Sequence, residues 1–77
     1  MVNIMPMERM VMRYVRSSLE AFLDGKKNLN WIKGVIAKSV ILEYEGMLKE
    51  IFDGLRRYEN LPRYKEIQKE CKKQGWL

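Results

Sequence analysis

An all-α domain of three helices is what this sequence predicts, and three observations predict it. Apolar residues recur at helical spacing along most of the 77 residues. Prolines stand where helices should open, at Pro6 and Pro62, and glycines stand where helices should close, at Gly25 and Gly75. The β-branched cluster Val35, Ile36, Val40 and Ile41 lacks the alternation of a strand, and the apolar pattern around it runs far past strand length.

The first helix is expected over about 7–24. Pro6 suits its first turn, because the missing N–H would be unpaired there, and Glu8 complements the positive helix end. Its apolar face collects Met7, Met10, Val11, Tyr14, Val15, Ser18, Leu19, Ala21 and Phe22, with Arg9, Arg13, Arg16 and Glu20 opposite. Residues 26–30 make a short polar link in which Asn28 or Asn30 caps the next helix, so the first two helices should form an antiparallel hairpin.

The second helix is expected as one long central rod over about 31–58. One of its faces, from Ile36 through Met47, Leu48, Ile51, Phe52 and Leu55, serves a core. The other carries Ile32, Val35, Ser39, Leu42 and Gly46 at the 3, 4, 3, 4 spacing of a short helix-pairing seam. Interior glycines cost roughly 1 kcal/mol each relative to alanine, so a break near Gly46 is the alternative to a continuous rod. The third helix should run over about 62–74, from Pro62 to a left-handed cap at Gly75 that folds Trp76 back on Cys71.

Composition limits the chemistry. With no histidine and one cysteine, the chain offers neither a zinc ligand set nor an internal disulfide, and general acid-base catalysis loses its commonest group. Cys71 reads as a small core residue. Glu43, Glu50 and Asp53 read as a solvated face pairing with Lys49 and Arg57, since the Glu-x-x-His pairs of a helical di-metal site are missing. The sequence thus points to a non-enzymatic protein without cofactor, metal or small-molecule substrate. No apolar run has the length of a membrane span, and residues 1–6 lack the regions of a secretory signal, so a cytoplasmic location without membrane contact is expected.

The formal net charge of +5 is concentrated at the ends. Residues 56–77 hold seven Lys and Arg against three acids, whereas residues 28–55 hold three against four. Two functional expectations follow. The first is a protein-protein interaction module, self-associating or an accessory subunit of a nucleic-acid-handling complex. Its interface would be the uncovered seam of Ile32, Val35, Ser39, Leu42 and Gly46, with Met5 and Met12 as further partner contacts. The second is a sequence-tolerant DNA- or RNA-binding protein. Arg9, Arg13 and Arg16 of the first helix and Arg63, Lys65, Lys69, Lys72 and Lys73 of the third would supply the cations.

Overall fold

The computed structural model describes residues 6–40 and 46–77, with side chains from residue 10 onward. They form an all-α bundle of four helices: α1 (Pro6–Leu23), α2 (Leu29–Ser39), α3 (Met47–Gly54) and α4 (Pro62–Lys73). A 3₁₀ turn, Arg56–Tyr58, follows α3.

The expected three-helix arrangement with one long central rod is therefore wrong. Helix α2 closes at Ser39, and α3 begins only after Gly46, whose φ of +89° is left-handed. A left-handed residue cannot sit inside a right-handed helix, and glycine takes that conformation without a Cβ penalty. The break also answers the two-sided apolarity that the sequence shows. Ile32, Val35 and Ser39, on one stripe, and Met47, Leu48, Ile51 and Phe52, on the other, are all buried inside the same chain.

Each connection follows from local chemistry. Helix α1 ends in a Schellman motif: the N–H of Gly25 donates to the carbonyl of Phe22, and that of Lys26 donates to the carbonyl of Ala21. Asn28 then caps α2, its side-chain oxygen accepting from the Trp31 N–H at 2.8 Å. Pro62 opens α4, which closes as α1 does, with Gly75 donating to Lys72 and Trp76 to Cys71. Trp76 packs, partly buried, against the core.

All four helices feed one core: Val15, Leu19, Phe22 and Leu23 from α1, Ile32 and Ile36 from α2, Met47 and Ile51 from α3, and Tyr64, Ile67 and Cys71 from α4. Burial of large apolar side chains at roughly 1.5–3 kcal/mol each is the main force holding these short helices together. The buried arc of α1 is rotated from the expected one. Met12 and Leu23 turn inward, while Met10 and Tyr14 are 69% and 55% exposed.

Candidate nucleic-acid interface

The cations of the C-terminal third divide into those that hold the fold and those that face outward. Arg63 belongs to the first group. Its guanidinium donates to the carbonyls of Phe22 at 2.8 Å and Lys27 at 3.0 Å, and it stacks on the Phe22 ring. Arg57 likewise reaches back to α1, pairing with Glu20 at 2.8 Å. Arg63 is engaged on the chain itself, whereas the Arg57 side chain is 60% exposed.

Lys65, Lys69, Lys72 and Lys73 are exposed on α4. The ion pairs formed among the described residues, Lys33 with Glu70 and Arg57 with Glu20, engage none of them. Of the two carboxylates of α4, Glu66 is exposed and Glu70 is turned toward α2. A hydrogen bond from the Gln74 amide, then the Lys33 ammonium, hold it below the usual carboxylate range.

Two cations that sequence reasoning missed join these lysines. Between α3 and α4 lie two adjoining open concavities of about 290 and 320 Å³ that share Asp53 and Gln68. Lys49 and Lys72 line one, and Arg56 and Lys65 line the other. The helices thus run antiparallel, with a like-charged pair toward each end of a groove. Beneath it Phe52 and Tyr64 meet edge to face, ring centroids 5.5 Å apart, and the Tyr64 hydroxyl donates to the Phe52 carbonyl at 3.0 Å. Burial pushes the Tyr64 phenol up, Glu59 and Asp53 add to that, and Arg56 opposes it. The signal that could have revealed Lys49 and Arg56 was the short link at 59–61, which turns α4 back along residues 49–56 whether or not the helix before it is continuous.

The other expected nucleic-acid residues are dispersed. Arg13 is exposed on α1, and the Arg16 guanidinium lies over α3, 3.8 Å from where a Cβ would stand at Gly54. The Arg9 side chain lies outside the described part.

The expected partner seam is not an open surface. Ile32 is fully buried and Val35 is 6% exposed. Ser39 is buried too, its hydroxyl donating to the Val35 carbonyl at 2.8 Å. Gly46 is the exposed left-handed residue before α3, and Met12 packs against the chain's own core. Leu42 and Met5 lie outside the described residues.

Among the described residues no three Cys, Asp or Glu side chains gather as a metal site requires, and no helix is long and apolar enough to cross a membrane. Comparison with protein-family models, curated proteins and solved structures gives no match for this chain.

Proposed function

We propose that the chain is a non-enzymatic, sequence-tolerant nucleic-acid-binding protein whose main contacts are phosphates of DNA or RNA held by the basic face of α4. The observation that carries this reading is that Lys65, Lys69, Lys72 and Lys73 all stand exposed on α4 and take part in neither the Lys33–Glu70 nor the Arg57–Glu20 ion pair found among the described residues. Lysine is a compact point charge without the planar fork that grips guanine, so such a face responds to charge and not to sequence.

Salt dependence tests it. Each phosphate contact releases counterions, so the log-log slope of affinity against salt should fall by about 1.8 for duplex DNA when Lys69 and Lys73 are both replaced by Gln. Binding should vary little between unrelated sequences. No association at low salt, or a slope untouched by the double replacement, removes the reading.

A second reading, contact with a protein within a larger assembly, is favoured by Met10 and Tyr14. They stand one turn apart on α1 and are the most exposed large apolar side chains among the described residues. Sedimentation over a dilution series, with and without Tyr14→Glu, tests self-association through that surface. An unchanged monomer in both leaves nothing for it to explain.

A further inference from the structure

We infer that the groove between α3 and α4, not the outer face of α4 alone, is the ligand-binding element, and that its ligand is a single nucleic-acid strand. The inference rests on the reading above and narrows it to one form of ligand.

The geometry of the cations comes first. Lys49 stands on α3 and Arg56 on the 3₁₀ turn that follows it, while Lys65 and Lys72 on the other wall are seven residues apart, about 10.5 Å along α4. Lys49 faces Lys72 and Arg56 faces Lys65 across the same concavities, and the ion pairs found among the described residues, Lys33 with Glu70 and Arg57 with Glu20, engage none of the four. Like charges held opposite one another repel, and an anion between them converts that repulsion into attraction from both sides. The two concavities adjoin at Asp53 and Gln68, so the two cation pairs lie along a single line. One phosphodiester strand can lie along it. A duplex, whose phosphate rows diverge across grooves of roughly 6 and 12 Å, would rest on the ridge of α4 and meet Lys69 and Lys73 instead.

The middle of the groove supports the same choice. Asp53 and Gln68 line both concavities, so a carboxylate and an amide lie between the two cation pairs. Asp53 repels a phosphate there and favours phosphates at the ends. What it can accept is a proton donor, and the Watson-Crick edges of unpaired bases supply one between successive phosphates. Glu59, the other carboxylate of the groove, lies beside Arg56 and Lys65, which makes the Lys49 and Lys72 end the more strongly cationic.

The test compares a fluorescein-labelled mixed-sequence strand of about twelve nucleotides with the blunt duplex of the same sequence, by anisotropy across a salt series. The proteins are the wild type, the exposed groove pair Lys49→Gln with Arg56→Gln, and the outer pair Lys69→Gln with Lys73→Gln. Circular dichroism checks that each is folded. The strand should bind more tightly than the duplex, and the groove pair should lower the strand's salt slope by about 1.4 while leaving the duplex slope unchanged. Equal or tighter binding of the duplex, or a groove pair that lowers both slopes alike, overturns the groove while the broader nucleic-acid reading stands. Absence of binding by strand and duplex alike removes both.

Discussion

The Arg63 guanidinium lies 4.7 Å from the centroid of the Phe22 ring and donates to that residue's carbonyl at 2.8 Å. One side chain thereby ties the start of α4 to the end of α1, and its second bond, to the Lys27 carbonyl, fixes the loop before α2. Arg63 therefore serves the fold. Arg63→Ala should cost about 2 kcal/mol, the scale of charge-assisted bonds to carbonyls plus ring contact. Arg63→Lys should recover only part of that, because an ammonium lacks the planar face that stacks on the Phe22 ring. Urea unfolding measures the loss. A fall in the salt slope of nucleic-acid binding, with stability unchanged, would place Arg63 at phosphate and contradict the assignment.

Gly46 and Gly34 are both glycines with open space around a hypothetical Cβ, yet they should respond oppositely to alanine. At Gly46 the left-handed φ of +89° makes any side chain strained, so Gly46→Ala should destabilise by about 1–2 kcal/mol. Gly34 lies within α2 with nothing within 4 Å, so Gly34→Ala should stabilise by about 0.5–1 kcal/mol through helix propensity. Melting temperatures of the two variants should move in opposite directions. Stabilisation by Gly46→Ala would mean that residue 46 is helical and that the central rod is continuous after all.

That pair also shows how far the sequence was legible. Helix chemistry marked Pro6, Gly25, Asn28, Pro62 and Gly75, because caps and first turns depend on neighbours a few residues away. Gly46 was named as the place of an alternative break and Gly34 was not, yet both stood as interior glycines of one helix; the left-handed φ of Gly46 separates them. The stripe through Ile32, Val35 and Ser39 reads as needing cover, and those three residues are buried. Its supposed partner was sought outside the chain because a rod over 31–58 left none inside. The groove was open to the same reading, since the link after Tyr58 turns α4 back along residues 49–56 with or without a break at Gly46; attention to the cations of α4 alone left Lys49 and Arg56 out.

Tyr64 gives a prediction in pH. Its phenol is pushed up, chiefly by burial, so the folded state holds this proton more tightly than the unfolded chain does. Stability is untouched below the ordinary tyrosine value near 10.0 and falls as pH rises from there toward the folded-state value. Tyr64→Phe should cost about 1 kcal/mol at neutral pH, through loss of the bond to the Phe52 carbonyl, and should remove this alkaline loss. The gap between wild type and variant should therefore narrow in urea midpoints taken near pH 7 and about pH 11. A constant gap would show that the phenol ionises equally in both states.

The last prediction concerns Ile32, which a helix-pairing seam would leave in water and this fold buries completely. A chain of this length has a total stability of about 4–12 kcal/mol, so core truncations should be visible as a graded series. Ile32→Val should cost about 0.5–1.5 kcal/mol and Ile32→Ala about 2–5 kcal/mol, the cavity term making the second more than proportional. Val35→Glu should prevent folding outright, since it would bury a charge without a partner. Because the cover comes from the same chain, the melting midpoints of wild type and Ile32→Val should not shift with protein concentration. Were the residue at an intermolecular seam, Ile32→Ala would leave the monomer's stability within about 0.5 kcal/mol and act instead on association, making the midpoint depend on dilution.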